Sequence, residues 1–331
     1  MPDTPLLHSA GRRRLLVALA SSAALITPSS FAQASAESLR ILVGFPAGSS
    51  SDVSLRTLVS QMQGHIKRPI VVENRPGASG RIAVDAVRTA RPDGLTLLYA
   101  PHGPMTLFPH VFKRLSYDPA RDFTPISQVA AFDFGLFANA GVPATNLQEL
   151  KTWAQSNPAL ATYGSPGIGT TPHFLTTALA QKAGMRLTHV PFASPPQIMS
   201  SLVGGHLGLS MGPIDEALPF IRDGKVKALG TSGTARSALL PQVPTFTEQG
   251  VKLDLLGWFG LFAPVGVEPA LLADYERAVQ NALATAEVKA RFASMNLKPT
   301  GTSATELGRI RREESVMWSQ VVKETGFTPE D

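Results

Sequence analysis

The sequence predicts an α/β protein of two domains, each a mostly parallel sheet flanked by helices, with a ligand cleft between the domains. One observation is the alternation of short apolar, β-branched segments with helical patterns, which is typical of parallel sheets covered by helices. A second is size and composition: the chain has 331 residues, of which 44% are hydrophobic and 17% charged. That is enough for two domains with sizeable cores.

The first α/β unit begins with a short apolar strand at residues 41–43. A loop rich in glycine and serine follows, and residues 53–59 show the spacing of a helix with one buried face. Residues 69–73 and 95–100 are predicted strands, and residues 82–87 lie between them at helical spacing. This order of elements predicts a parallel sheet with helices in the connections.

A second unit repeats the pattern further along the chain. An apolar segment near residue 260 is predicted to cross back, and helices from Pro269 onward are predicted to return to the first domain. We therefore assign residues 35–136 plus 258–331 to domain 1 and residues 137–257 to domain 2. The predicted strand at residues 134–139 leaves the first unit, and the predicted strands of the second unit are residues 161–163, 188–192, 207–211 and 225–230.

Composition excludes several classes of function. The formal net charge is +5, but no block of lysine and arginine occurs beyond Arg12–Arg14, which argues against a nucleic-acid partner. The chain has no cysteine, so disulfides, cysteine nucleophiles and cysteine-ligated metals are excluded. The histidines show no metal-binding spacing, and no metal site is predicted.

The N-terminus has the features of a cleavable secretory signal. Three arginines precede an apolar segment at residues 15–26, and Ala32-Gln33-Ala34 provides the small residues of a signal-peptidase site. We expect a signal peptide at residues 1–34, a mature chain that begins at Ser35, and a periplasmic protein. Export by the Sec route and by the twin-arginine route both fit this pattern.

Two loops are candidate sites for an anion. The first, G-F-P-A-G-S-S-S-D at residues 44–52, joins a strand to a helix. The second, G-S-P-G-I-G-T-T-P-H at residues 164–173, also follows a strand and opens a helix. Each brings backbone N–H groups and hydroxyls to the positive end of a helix, and neither contains lysine or arginine. In an open α/β sheet such loops meet beyond the carboxyl ends of the strands, so both are predicted to face the cleft.

Phosphate and hydrolase interpretations have weaker support. The chain lacks a G-x-x-x-x-G-K-[ST] motif, and the glycines of the second loop do not match the dinucleotide fingerprint. A secreted serine hydrolase that uses Ser165 and His173 stays open as an alternative, although the G-x-S-x-G elbow is missing. We predict no catalytic residue.

Eight segments in order resemble the substrate-binding proteins of tripartite tricarboxylate transporters, the Bug family. The resemblance implies a type II periplasmic-binding-protein-like fold that holds a small carboxylate between the two loops, without a cofactor. It also implies a membrane transporter complex as partner, or a sensor kinase if the protein is an orphan sensor, and a monomer. The segments are FPAGSSSDVSLR, IVVENRPGASG, RPDGLTLLYA, LSYDPARDFTPIS, ATYGSPGIGTTPHF, HVPF, GGHLGLSM and VPTFTEQG.

The resemblance also implies the ligand-binding residues. Asp215 stands where the family often has an acid, and it is expected to meet an amino or hydroxyl group of the ligand. Two departures are notable: Gly48-Ser49 replaces a pair of glycines, and Ala193-Ser194 replaces a Lys-Gly pair, which removes a possible partner for a distal carboxylate. The implied set is Phe45, Gly48, Ser49, Ser50, Ser51, Asp52, Ser165, Gly167, Ile168, Gly169, Thr170, His173 and Asp215.

Overall fold

Two groups of parallel strands are joined by two long antiparallel strands in the computed structural model, which describes residues 37–329. The strands pair in the order β2 (Ile70–Asn74), β1 (Leu39–Val43), β3 (Thr96–Pro101), β9 (Leu256–Pro264), β4 (Phe123–Asn139), β7 (Leu209–Pro213), β5 (Thr162–Ser165) and β6 (Thr188–Pro191). Strands β8 (Val226–Thr231) and β10 (Leu297–Pro299) also pair with β4. Helices fill the connections, as the alternating sequence pattern predicts. The α/β class is therefore confirmed. The predicted signal peptide, residues 1–34, lies outside the described residues.

The first group is built around β1 (Leu39–Val43), which pairs in parallel with β2 (Ile70–Asn74) and β3 (Thr96–Pro101). Helix α1 (Ser50–Met62) connects β1 to β2, and α2 (Arg81–Arg88) connects β2 to β3. The strand residues are short apolar runs, and most of β1 is buried. The three strands and α2 have boundaries within two residues of the prediction, and α1 extends three residues beyond its predicted range at each end.

The strand that joins the two groups is β4 (Phe123–Asn139). Its first part pairs with the antiparallel β9 (Leu256–Pro264), and its last residues pair with strands of the second group. Only residues 134–139 were predicted as a strand. The earlier part was missed because its pairing shifts between Pro125 and Ser127 and again between Gln128 and Ala130. Such bulges break the period of two on which a strand is recognised.

The second group places β5 between β6 and β7, both parallel to it. Strands β7 and β8 run antiparallel to the end of β4. Proline stands in the first turn of two of the helices, where the missing N–H costs nothing. The elements are α5 (Leu147–Ser156), β5 (Thr162–Ser165), α6 (Thr171–Ala183), β6 (Thr188–Pro191), α7 (Pro195–Val203), β7 (Leu209–Pro213), α8 (Ile214–Arg222) and β8 (Val226–Thr231).

Three helices and a short strand form the end of the chain. Helices α9 (Pro269–Ala284) and α10 (Ala286–Ser294) pack against α1, and β10 (Leu297–Pro299) pairs with β4. Helix α11 (Ala304–Glu324) packs on β4 and on α3 (His102–Thr106), which directly follows β3. A further short helix, α4 (Pro119–Asp122), precedes β4. A 3-10 turn at Phe108–His110 follows α3.

The largest apolar cluster extends through both groups of strands. It includes Ile41 and Leu55 of the first group and Leu175 and Leu209 of the second, all nearly inaccessible to solvent. From Ser38 onward the chain forms one compact unit. The predicted domain boundaries, at 136/137 and 257/258, remain predictions.

Candidate functional site

The loop between β1 and α1 brings buried serines to the start of a helix. Ser49 is the N-cap residue of α1, but its hydroxyl donates to the carbonyl oxygen of Pro46 at 2.7 Å instead of capping the helix. Gly48 has a φ of 81°, in the left-handed region that glycine tolerates, and the chain turns there into the helix. The first-turn N–H groups of α1 therefore lack the usual side-chain cap.

Asp52 stabilises this loop rather than lining a cavity. Its carboxylate accepts hydrogen bonds from the N–H of Gly48, from Nε of Arg56 and from Nδ2 of Asn74, each at 2.9 Å. The side chain is only 4% exposed. Three donors therefore hold one buried carboxylate, which closes the turn before α1 and ties it to the end of β2.

The loop between β5 and α6 resembles the first loop, with threonine in place of serine as the N-cap residue. The Thr170 hydroxyl donates to the carbonyl oxygen of Gly167 at 2.8 Å and does not cap the helix. Gly167 and Gly169 both have positive φ values, 114° and 79°. The N–H of Gly169 donates to Nδ1 of His173 at 3.2 Å. The N-terminus of α6, a helix of 13 residues, is thus also without a side-chain cap.

Each loop contacts elements of the opposite group of strands. The Ser79 hydroxyl, from the turn before α2, donates to the carbonyl oxygen of Pro166 at 3.3 Å. A Cβ atom added to Gly167 would lie 2.4 Å from Oγ of Ser79, so a larger residue there would displace the Ser79 side chain. On the other side, the Ser50 hydroxyl donates to Oδ1 of Asp215 at 3.2 Å. The start of α1 is therefore in contact with elements of the second group of strands.

A cavity of about 90 Å³ lies where these elements meet. Hydroxyls from the starts of α1 and α6 form part of its wall, and six phenylalanines form much of the rest. Its lining residues are Phe45, Ser49, Ser50, Ser51, Ser79, Pro101, His102, Gly103, Pro104, Phe108, Phe132, Phe134, Phe137, Pro166, Thr170, Thr171, Pro172, Pro195, Ile198, Met199, Ser210, Met211, Gly212, Pro213, Glu216 and Phe259.

The residues singled out in the sequence divide into two sets. Those that line the cavity are Phe45, Ser49, Ser50, Ser51 and Thr170. The others belong to the same loops or to α8 without lining it, and several hold the loops in shape through the hydrogen bonds described above. The members of this second set are Gly48, Asp52, Ser165, Gly167, Ile168, Gly169, His173 and Asp215.

Glu216 is the principal lining residue that sequence reasoning missed. It follows Asp215 in the first turn of α8, and both acids face the start of α1 at Ser50. The adjacent acids Asp215 and Glu216 were the sequence feature that could have indicated a role for Glu216. The aromatic wall from β4 and β9 was missed for another reason: phenylalanines in strands are usually core residues, and only the fold shows which of them border a cavity.

The two carboxyl groups of α8 are in an environment that disfavours negative charge. Burial raises the pKa of Asp215 to about 6, although the Ser50 hydroxyl opposes the shift. Burial, and then the charge of Asp215, raises the pKa of Glu216 to about 8, against a backbone hydrogen bond with Ser50. At pH 7 the pair therefore holds close to one negative charge instead of two.

His102 connects the cavity to the C-terminal helix. Its Nε2 lies 3.2 Å from the Thr171 hydroxyl, and its Nδ1 lies 3.3 Å from Oε2 of Glu314. The indole Nε1 of Trp258 donates to the other oxygen of Glu314 at 2.6 Å. The ring of His102 is 1% exposed and lies among aromatic rings, including that of Trp318. Its Nε2 thus has a hydrogen-bond partner, whereas Nδ1 and the facing Oε2 of Glu314 have none among the described residues.

Ser165 and His173 do not form the pair that a serine hydrolase needs. The Ser165 hydroxyl lies 2.7 Å from Nε2 of His189 and 2.9 Å from the carbonyl oxygen of Gly167. His173 instead stacks on His189 with ring centroids 4.1 Å apart. Burial lowers the pKa of both histidines to about 4, so both rings are neutral at pH 7. Ser165 is fully buried and does not line the cavity.

Residues 37–329 contain neither a cluster of side chains placed to bind a metal ion nor a helix suited to cross a membrane. No group of three or more histidine, aspartate or glutamate side chains in this part of the chain is placed to hold a metal ion. No helix within these residues combines the length and the apolar character needed to cross a membrane.

The mixed α/β fold and the cavity between its two groups of strands define the periplasmic-binding-protein fold. Solved structures agree: the periplasmic binding protein BugD has a TM-score of 0.83 and 26% identity, and the match covers 89% of this chain and 99% of that one. The model of the tripartite tricarboxylate transporter family receptor matches residues 54–327. The chain belongs to this family, and its relatives include Bug proteins.

Relatives with known ligands have the same fold. MatC from Rhodopseudomonas palustris, solved with malate, has a TM-score of 0.81 and 29% identity, with 86% of this chain and 98% of that chain covered. Rpa4515 of the same organism, solved with adipate, has a TM-score of 0.85 and 26% identity, with 88% and 98% covered. Protein BugT of Bordetella pertussis is 28% identical over 293 residues, 88% of this chain and 90% of its own.

Proposed function

We propose that this protein is a periplasmic receptor that captures a small organic carboxylate between the β1–α1 and β5–α6 loops and delivers it to a membrane transporter. The observation that carries the proposal is the convergence of two helix N-termini on one cavity; in neither helix does the N-cap residue itself, Ser49 or Thr170, cap the first turn with its side chain. Each helix end contributes N–H donors and a partial positive charge. Together with the hydroxyls of Ser51, Thr170 and Thr171, they form a site that holds one anion without a basic side chain.

Ligands of the relatives support a carboxylate in particular. MatC was solved with malate and Rpa4515 with adipate, and both are carboxylic acids. The ligand-binding set proposed for this chain is the one implied by the sequence, with Glu216 and the cavity phenylalanines added. Phe45, Ser49, Ser50, Ser51 and Thr170 are proposed to contact the ligand. The remaining loop residues and Asp215 are proposed to hold these contacts in position.

The location and the partner follow from the family. We infer export by the signal peptide of residues 1–34, a mature start at Ser35, and a monomer that docks on the membrane subunits of a tripartite tricarboxylate-type transporter. N-terminal sequencing of periplasmic material tests the first step: a start at Ser35 supports it, and a start at Met1 contradicts it. An orphan receptor that feeds a sensor kinase is the second candidate.

Calorimetry with matched ligand pairs tests the binding function. Each carboxylic acid of a broad panel is compared with its uncharged amide, which has nearly the same shape. We expect at least one acid to bind and its amide to bind at least tenfold more weakly, because the helix N-termini stabilise the negative charge. Equal binding of acid and amide, or binding of sugars alone, contradicts the proposal.

Uptake assays separate transport from sensing. Loss of the gene abolishes uptake of the bound acid if the protein serves a transporter. It leaves uptake intact and abolishes a transcriptional response to that acid if the protein serves a sensor kinase.

We also propose that the protein is not an enzyme, because Ser165 is buried and does not line the cavity, although its hydroxyl lies 2.7 Å from Nε2 of His189. No covalent labelling of the mature protein by a fluorophosphonate probe is expected. Labelling that disappears in Ser165→Ala contradicts this proposal, and Ser60→Ala is the matched control on an exposed serine.

A further inference from the structure

We propose that the ligand is a monocarboxylate with an apolar body, and that the cavity discriminates against a second carboxylate. This inference rests on the proposed function, because it assumes that the loops hold one carboxylate. The proposed ligand differs from malate and adipate, the ligands with which two relatives were solved, because both of those are dicarboxylates.

The first support is the absence of a basic partner for a second carboxylate. Among the cavity-lining residues of the described chain there is no lysine and no arginine. The two lining residues with ionisable side chains are His102 and Glu216. His102 is bonded to Thr171 and faces Glu314, so any positive charge on its ring already has an acidic partner.

The second support is the effect of burial on the two carboxyl groups at the start of α8, of which Glu216 lines the cavity and Asp215 lies beside it. Burial raises the pKa of both Asp215 and Glu216, which means that this wall disfavours negative charge. A ligand carboxylate placed against the same wall meets the same loss of hydration and the charge already present on the pair. A second negative charge on the ligand is therefore unfavourable there.

The third support is the apolar wall opposite the loops. The rings of Phe132 and Phe134 lie 5.3 Å apart, and those of Phe132 and Phe259 lie 4.8 Å apart, so β4 and β9 present a continuous aromatic surface. Met199 and Met211 extend it from α7 and β7. Each methylene of a ligand buried against such a surface raises affinity by about fourfold. A charged or strongly polar end gains nothing there.

The size of the cavity favours a short chain. Its volume of about 90 Å³ is smaller than the roughly 150 Å³ of an engineered apolar cavity that takes up benzene. A linear acid is therefore expected to fit with less displacement of the walls than an aromatic acid.

Calorimetry on the mature chain with two acids of six carbons tests the inference. Hexanoate and adipate share one carboxylate and differ at the far end, which is a methyl or a carboxylate group. We expect hexanoate to bind at least tenfold more tightly than adipate. Equal or tighter binding of adipate overturns the inference and leaves the carboxylate receptor intact. No binding of any acid in a broad panel overturns the proposed function as well.

A gain-of-function variant provides an independent test. Met199→Lys places the missing cation in the apolar wall with a side chain of similar length. We expect the ratio of adipate to hexanoate affinity to rise at least tenfold. Val316→Lys adds the same charge on an exposed position of α11, where the native side chain is 65% exposed, and is expected to leave the ratio as in the wild type. An unchanged ratio in a folded Met199→Lys variant contradicts the inference. If the Met199→Lys variant does not fold, the affinities of hexanoate and adipate for the wild-type protein test the inference on their own.

Discussion

The hydroxyl of Ser50 donates a hydrogen bond to Oδ1 of Asp215 at 3.2 Å, although the two residues are 165 positions apart in the sequence. The bond joins the first turn of α1 to the first turn of α8, at the edge of the cavity. It links the two groups of strands on which the proposed binding site is built. It also gives a buried carboxyl group one of its hydrogen-bond donors, so its removal has consequences that can be measured.

Ser50→Ala is expected to destabilise the folded protein. The substitution removes a donor from a buried carboxyl group, and such a loss costs about 1–2 kcal/mol. Urea denaturation at pH 7 measures the free energy of unfolding. Ser60→Ala is the control, because the Ser60 hydroxyl is exposed and donates only to the carbonyl oxygen of Thr57. Equal stability of the two variants would show that the Ser50 contact contributes nothing.

Asp52→Ala is expected to cost more than Arg56→Ala, although the two side chains form an ion pair. The aspartate is buried and also binds the N–H of Gly48 and the amide of Asn74, which would lose their acceptor. We expect a loss of about 2–3 kcal/mol for Asp52→Ala. The arginine side chain is 50% exposed, so its removal should cost less than about 1 kcal/mol. Urea denaturation of both variants measures the difference, and equal losses would contradict the structural role of Asp52.

Gly167→Ala is expected to abolish ligand binding, whereas Gly48→Ala should weaken it less. Both glycines have positive φ, so both substitutions carry a backbone strain of about 1–2 kcal/mol. Only at Gly167 does the added Cβ meet another residue, Oγ of Ser79 at 2.4 Å; at Gly48 nothing lies within 4 Å. Calorimetry with an acid that the wild type binds compares the affinities of the two variants, and thermal unfolding shows that each variant is folded. Equal affinities would contradict a role in binding for the close approach of Gly167 to Ser79.

Glu216→Gln is expected to flatten the dependence of stability on pH. The folded protein holds the Glu216 proton up to a pH of about 8, whereas the unfolded chain releases it near the ordinary pKa of a glutamate. Between these values the folded state binds more protons, so the free energy of unfolding falls as the pH rises. A tenfold change in proton affinity is worth about 1.4 kcal/mol. The wild type should lose at least about 1 kcal/mol more than the variant between pH 5 and pH 8.

Urea denaturation across this pH range gives both profiles. Glu313→Gln, on an exposed glutamate of α11, is the control and should follow the wild type. Parallel profiles of wild type and Glu216→Gln would show that the carboxyl group is not held protonated in the fold.

Most elements were predictable because their signals are local. The strand at Leu39–Val43, the helix at Pro269–Ala284 and the turns between elements follow from apolar period, proline and glycine within a few residues. The first part of β4 was not predicted, since its bulged pairing with β9 leaves no regular alternation in the sequence. The two glycine loops were found for the same local reason: each joins a strand to a helix.

The sequence by itself determined the family, the α/β class and the two loops, because composition, periodicity and ordered motifs are properties of neighbouring residues. Only the tertiary structure decided which loop residues border the cavity. Ser50 borders it, whereas the Asp52 carboxylate accepts a hydrogen bond within the turn and does not line the cavity. It also decided that Glu216 and the phenylalanines of β4 and β9 form the cavity wall. The physical reason is that burial and charge environment depend on contacts between residues far apart in the chain, which no local pattern records.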